Sequence, residues 1–328
     1  MLKIAIVRLS AMGDIIHSAS ILPLFLKCLY EIEPNITLHW YVDSIFAEIL
    51  EDSPLIHKVI PLPLKQSIQT KNFKQLFAIY KTLKKEKYDY VLDLQGLLKS
   101  AIIGKILPSK NFIGFDRKSI KEPLASLFYT KKIHSPYEEH ILLRNAKLAF
   151  LAFGLQYPTL EQLLASKNFL GHQKQDFFSQ TPKKVLFVLE TSKLNKTYPL
   201  NSFLELAKLF NTLKIKPILL SHKTPLPQSQ NYYSIHSLNL KEVKSLLANM
   251  DLVIGGDTGI THLAWALSIP SITLFGATPK ARFSLQTKIN LSLEANKNAN
   301  YDKKDFSIQN IQPIDIFSLA QSLLKEVL

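Results

Sequence analysis

Four short stretches hold residues whose types and spacing could do chemistry. The first, RLSAMGDIIHS (8–18), follows an apolar run, KIAIV (3–7), and puts a carboxylate, Asp14, behind Gly13 where a strand gives way to a helix. With one glycine, this turn is neither the Gly-x-Gly-x-x-Gly dinucleotide fingerprint nor a phosphate loop ending in Gly-Lys-Ser/Thr. Asp14 then has two readings, a helix cap or a general base that takes a proton from a hydroxyl nucleophile. The second stretch, VIGGDTGITHLAWALSIPSITLFGAT (253–278), is more specific. A strand ends in Gly255-Gly256, Asp257-Thr258-Gly259 forms a turn, and a helix follows that carries His262. Small residues let a backbone approach a ligand closely, and amides from Thr258 onward at a helix N-terminus suit a diphosphate. The plain alternative is a glycine-rich turn without function, with His262 an ordinary helix residue.

The third stretch, LETSKLNKTYP (189–199), offers the hydroxyls of Thr191 and Ser192 at the end of a strand, and the cation of Lys196 one loop away. Together they could hold the same phosphates, although by themselves they amount to a polar loop in a lysine-rich chain. The fourth, RKSIKEPLASLFYTKKIHSPYEEHILLRNAK (117–147), interleaves Arg117, Lys118, Lys121, Lys131, Lys132 and Arg144 with Phe128, Tyr129 and Tyr137. With Lys65, Lys71 and Lys74 it gives the first half a basic, partly aromatic surface, suited to an anionic acceptor or an acidic lipid headgroup, or simply solvated. No His-x-x-x-His, cysteine pair or Asp-x-Asp is present, so no metal site is expected. The charge of a leaving diphosphate would fall to Lys196 and helix amides.

Elements must position these groups. Short β-rich runs alternate with amphipathic stretches throughout the 328 residues, the pattern of βα units around parallel sheets. Strands are expected at 3–7, 37–42, 58–62, 88–94 and 111–115, then at 184–190, 216–221, 251–256 and 271–276. Helices are expected at 15–30, 44–51, 71–86, 97–106, 202–213, 240–250 and 314–328. The first is the clearest, since Ile15, Ile16, Ala19, Leu22, Phe25, Leu26 and Leu29 recur at helical spacing. The polar stretch 161–182 reads as a linker between a domain at 1–160 and another at 183–312, followed by a last helix at 313–328. Two doubly wound domains leave a cleft at the carboxyl ends of their strands, where such sheets bind ligands.

Composition narrows the partners. Lys and Arg number 40 against 26 Asp and Glu, a formal charge of +14, which points to nucleic acid, an acidic membrane or a phosphorylated substrate, unless lysine is simply common in this chain. Cys28 is the single cysteine, as fits a reducing cytoplasm. Arg8 and Asp14 interrupt the first apolar run, so it reads as a strand and not a signal peptide. No uninterrupted apolar stretch reaches about 18 residues, so no spanning helix is expected and membrane contact would be peripheral.

Taken in order, RLSAMGDIIHS, DLQGLLKSA (93–101), KEPLASLFY (121–129), TSKLNK (191–196) and GGDTGITHLAWAL (255–267) resemble the lipopolysaccharide heptosyltransferases. The run EPLASLFY points, within them, to members that add the first heptose of the inner core; members acting on an already heptosylated core are the neighbouring alternative. The resemblance implies an α/β GT-B fold of two facing Rossmann-like domains, with the last helix packing back on the first. It implies an inverting transfer, without metal or cofactor, of L-glycero-D-manno-heptose from ADP-heptose to a Kdo sugar of Kdo-lipid A. The enzyme would be cytoplasmic and would sit peripherally at the inner face of the membrane. Asp14 resembles the family's base. A single displacement needs only one base and no carboxylate nucleophile. Thr191, Ser192, Lys196, Asp257, Thr258, Gly259 and His262 match donor-binding positions. Ser10, Gly13, Lys65, Lys71, Lys74, Arg117, Lys121 and Arg144 would face the acceptor. The chain departs from the family in SHKTPLPQSQNYY (221–233), which lacks the acid that meets the donor ribose, and in Lys121, which replaces an arginine and loses its bidentate fork. A non-catalytic nucleotide-sugar or lipid A binding module would keep the fold without the reaction. No nucleic-acid motif appears, so nucleic acid is not an expected partner.

Overall fold

The computed structural model describes residues 1–172, 178 and 183–326 and divides the chain into two compact units, Met1–Gly171 and His172–Leu328. The first holds strands β1 (Leu2–Val7), β2 (Ile36–Asp43), β3 (Lys58–Leu62), β4 (Tyr88–Asp93), β5 (Ser109–Phe115) and β6 (Lys131–Ile133). Its helices are α1 (Met12–Ala19), α2 (Leu22–Tyr30), α3 (Leu64–Gln69), α4 (Phe73–Lys84), α5 (Leu98–Ile106), α6 (Ile141–Ala152) and α7 (Leu160–Leu164). The second unit holds β7 (Val185–Val188), β8 (Ile218–Ser221), β9 (Tyr233–His236), β10 (Leu252–Gly256), β11 (Ser271–Phe275) and β12 (Asn290–Glu294). With them go α8 (Leu200–Thr212), α9 (Leu240–Leu247), α10 (Gly259–Ala266), α11 (Lys280–Phe283) and α12 (Pro313–Glu326).

Both sheets are six-stranded and parallel, in the orders β3-β2-β1-β4-β5-β6 and β12-β11-β10-β7-β8-β9. Counted within its own unit, each follows the same doubly wound order, with the reversal between the first and fourth strands. The turns after β1 and β4 therefore adjoin, as do those after β7 and β10, and such turns are where these sheets take ligands. Central strands read as unbroken apolar runs because helices cover both faces. Ile4, Ala5, Ile6 and Val7 are fully buried, and so are Val185, Leu186 and Phe187.

Several expectations need correction. The predicted helix 44–51 is a short 3-10 turn, Ser44–Ile49, and 71–86 is preceded by the separate α3. The expected helix over 15–30 is two helices starting at Met12. The stretch Met12–Tyr30, with mean hydropathy 1.3, has the length and composition to cross a bilayer; 61% of it is buried inside the first unit, where its predicted apolar face lies in the core. The segment 161–171, assigned to a linker, belongs to the first unit: Phe169 is buried, Ser166 donates a hydroxyl bond to the Ser20 carbonyl at 2.8 Å, and Ser53 donates to the Phe169 carbonyl at 2.7 Å. Residues 173–177 and 179–182 of that expected linker, and 327–328 of the last helix, lie outside the described residues. Helix α12, expected on the first domain, packs against α8 and the second sheet. Ile316, Phe317, Ala320, Leu323 and Leu324 join that unit's core, and the Phe317 ring meets Phe210 edge-on at 5.3 Å.

Candidate functional site

In the second unit the turns after β7 and β10 bring the predicted residues together. Asp257, 6% exposed in its side chain, accepts from Lys196 Nζ at 2.6 Å on one oxygen and pairs with His262 Nε2 at 3.0 Å on the other. Burial alone would raise its carboxyl, but the His262 hydrogen bond and the Lys196 charge outweigh it and hold the group well below the usual carboxylate range. Asp257 is thus ionised, and His262 presents an N–H to it.

Helix α10 begins directly behind this cluster. The Thr258 amide donates to Thr261 Oγ1 at 3.3 Å, and the Thr261 hydroxyl donates back to the Thr258 carbonyl at 2.8 Å. Thr258, Gly259 and Ile260 are half-buried at the positive end of the helix dipole. The adjoining loop is stitched by Thr191, whose hydroxyl donates to the Lys193 carbonyl at 2.7 Å and meets Thr197 Oγ1 at 3.0 Å. Ser192 is exposed.

Gly255 and Gly256 serve packing within the protein, where the sequence suggested room for a ligand. A Cβ on Gly256 would lie 2.5 Å from the Lys196 carbonyl and 2.9 Å from a Thr191 methyl, and one on Gly255 would lie 2.8 Å from Val188 Cβ. The glycines let the two turns close on each other, and that closure sets Lys196 on Asp257. The loop after β8 has no acid of its own, but Glu190 at the end of β7 accepts from the amides of His222 and Lys223, each at 2.9 Å.

In the first unit Asp14 is the third residue of α1, with its side chain 36% exposed. Its carboxylate reaches the Ala11 amide at 3.4 Å, a weak cap, and meets Arg8 Nη2 at 3.1 Å. Arg8 is buried and also donates to the Leu94 carbonyl, so the end of β4 fixes the group that orients Asp14. Ser10 Oγ accepts from Lys99 Nζ at 2.9 Å and from Gln95 Nε2 at 3.4 Å, while the Leu9 amide donates to Gln95 Oε1 at 2.8 Å. Gly13 lies in the first turn of α1.

Arg8, Gln95 and Lys99 carried no assigned role in the sequence. The strand order alone marks them, because it sets the turn after β4 beside the turn after β1. That turn is anchored by Asp93, fully buried, which accepts from the Gln95 and Gly96 amides at 2.9 and 3.1 Å and from the Ser100 and Tyr129 hydroxyls at 2.8 Å each. Burial pushes its carboxyl up, against the pull of those donors.

Of the basic residues assigned to the acceptor, Lys65, Lys71, Lys74, Arg117 and Lys121 are exposed, with Lys121 Nζ 5.1 Å above the Tyr137 ring. Arg144 is 4% exposed. It donates to the carbonyls of Ser135, Pro136 and Ser119 and stacks 4.7 Å from Phe115, so it binds loops together instead of presenting charge. Among the described residues no three His, Cys, Asp or Glu side chains gather as a metal site.

Comparison with known proteins gives the arrangement a context. Residues 76–314 match the family described as glycosyltransferase family 9 (heptosyltransferase). Lipopolysaccharide heptosyltransferase 1 of Campylobacter coli is 36% identical, over 98% of this chain and 99% of its own length. The same-named protein of Escherichia coli K12 is 30% identical, over 84% and 88%. Among solved structures, E. coli heptosyltransferase WaaC with ADP is similar in fold, with a TM-score of 0.79 at 23% identity over 98% of this chain and 100% of that one.

Proposed function

The chain belongs to glycosyltransferase family 9, the heptosyltransferases, and we propose that it transfers L-glycero-D-manno-heptose from ADP-heptose to a Kdo sugar of Kdo-lipid A, with inversion. It is a glycosyltransferase of lipopolysaccharide inner-core synthesis with the GT-B fold. The observation that carries the finer reading is the division of labour between the units: a cationic, amide-rich site around Lys196 and α10 in one, and a half-exposed, arginine-oriented carboxylate, Asp14, in the other.

The diphosphate of the donor would lie along the start of α10, taking amides of Gly259 and Ile260, the Thr258 and Ser192 hydroxyls and the Lys196 ammonium. Asp257 keeps Lys196 aimed and holds its charge in place, and His262 fixes the other carboxylate oxygen. As the glycosidic bond to the diphosphate breaks, negative charge grows on the leaving oxygen, and Lys196 with the helix amides stabilises it. On the opposite face of the sugar the Kdo hydroxyl attacks the anomeric carbon and passes its proton to Asp14. One bond forms as the other breaks, so configuration inverts.

Arg8 sets the carboxylate's rotamer, and Ser10, Lys99 and the exposed Lys65, Lys71, Lys74, Arg117 and Lys121 supply donors for Kdo carboxylates and lipid A phosphates. Such an acceptor places the enzyme peripherally at the inner face of the cytoplasmic membrane. Replacing Asp14 with Asn tests the base. Transfer from ADP-heptose to Kdo-lipid A should fall by about 10²–10⁴-fold while ADP still binds. Near-normal turnover in a folded variant would refute the assignment.

A further inference from the structure

The outer face of α3 and α4 carries apolar side chains that the first unit does not cover. Phe73 is 78% exposed, Ile68 61%, Phe77 58% and Tyr80 45%. At about 100° per residue, Phe73, Phe77 and Tyr80 fall within a narrow arc of α4, while the buried Ile79 and Leu83 lie on a separate face toward the core. The helix therefore has two apolar stripes, of which packing uses one. Lys74, Lys81 and Lys85 flank the exposed stripe, and residues 64–85 hold six lysines and no Asp or Glu. Lys81 Nζ sits over the Phe77 ring, 4.7 Å from its centroid, and Lys84 Nζ over that of Tyr80 at 5.8 Å, so basic and aromatic groups share this face.

We propose that this face docks on a bilayer surface of anionic phospholipid, with the aromatic rings at the headgroup–acyl boundary and the lysines against lipid phosphates. A helix lying in the interface has this distribution of aromatic and basic residues. Each basic residue near an anionic leaflet adds attraction that salt screens. A second copy of the chain fits the charge poorly, because a two-fold contact would set six lysines against six. The reading complements the transferase assignment, whose acceptor is a lipid, by naming the surface that meets the membrane. The vesicle-binding arm of its test uses neither donor nor acceptor, so either reading can fail alone.

The full-length protein is sedimented with vesicles of phosphatidylglycerol and phosphatidylethanolamine, and with vesicles of phosphatidylcholine only, at low and high salt. The wild type should pellet with the anionic vesicles and not with the neutral ones. Phe73→Ser/Phe77→Ser/Tyr80→Ser, all at exposed positions, should lower that partition by about tenfold or more, and Lys81→Gln/Lys84→Gln/Lys85→Gln should lower it chiefly at low salt. On a deacylated, soluble acceptor the aromatic variant should turn over within about twofold of wild type, since those rings touch no reacting group. The proposal is overturned if the wild type ignores anionic vesicles or binds neutral ones equally, or if the aromatic variant binds as well as wild type. It is overturned also if the variant's defect is loss of vesicle-free self-association or of duplex DNA binding.

Discussion

Asp257 shows how a single charge can matter twice. Lys196 and His262 hold its carboxyl below the usual range, so the native state keeps it ionised where the unfolded chain would protonate it. A depressed native pKa contributes stability that is complete above the unfolded value of about 4 and is lost as pH falls through the lower native one. The second unit should therefore weaken in acid below about pH 4, and Asp257→Asn should flatten that limb of a urea-unfolding series run against pH. At neutral pH the same variant should cost about 1–3 kcal/mol. That is less than the roughly 3–5 kcal/mol for a fully buried pair, because Lys196 stays one-fifth exposed and can turn to water. An acid limb unchanged by the substitution would show that another carboxylate governs it.

The turn after β4 depends on a segment remote in sequence. Glu122 accepts from the Leu98 amide at 2.7 Å and so caps α5, and the Tyr129 hydroxyl ends on Asp93. The run EPLASLFY, conspicuous in the sequence for its likeness to the family, is thereby a brace for the loop that orients Arg8 and Ser10. Asp93→Ala would leave two amides and two hydroxyls without their acceptor and should cost about 2–4 kcal/mol. Tyr129→Phe removes one donor and should cost about 1 kcal/mol. Both are read from urea unfolding, and equal costs would mean that Asp93 does not organise the turn. Periodicity revealed β1, β4, β7, β10 and β11 because buried parallel strands are written as apolar runs. It missed β6, three residues with two exposed lysines, and β9, half-exposed throughout, because an edge strand need not be apolar. It missed α6 for the opposite reason: nine of its twelve residues are buried, Arg144 and Asn145 among them, so no polar face marks the helix. The Lys196–Asp257–His262 cluster was legible as residue types at a glycine-rich turn. Which of them touch was not, since that depends on Gly256 letting a distant loop come within van der Waals reach.

At the scale of the molecule, the positive charge is not concentrated in one half: the first unit has 22 Lys and Arg against 15 acids, the second 18 against 11, an excess of seven in each. Composition alone thus names no partner, and the informative charge is local, in the acid-free run 64–85 and around Lys196. The proposed function is divided more sharply than charge. All the proposed donor contacts lie in the second unit and the proposed base in the first, each unit with its own core. A ligand that binds only the folded second unit stabilises it by mass action, by about 2.7 kcal/mol at a hundredfold excess over Kd. For a unit of this size, that corresponds to roughly 5–10 °C in its melting transition. Calorimetry with saturating ADP should therefore raise the second unit's transition by about that much and leave the first unit's unchanged. The shift should persist in Asp14→Asn and shrink to a fraction in Lys196→Ala, because only the latter removes a proposed phosphate contact. If Asp14→Asn abolished the ADP shift, the carboxylate would belong to nucleotide binding, and its role as the base would have to be given up.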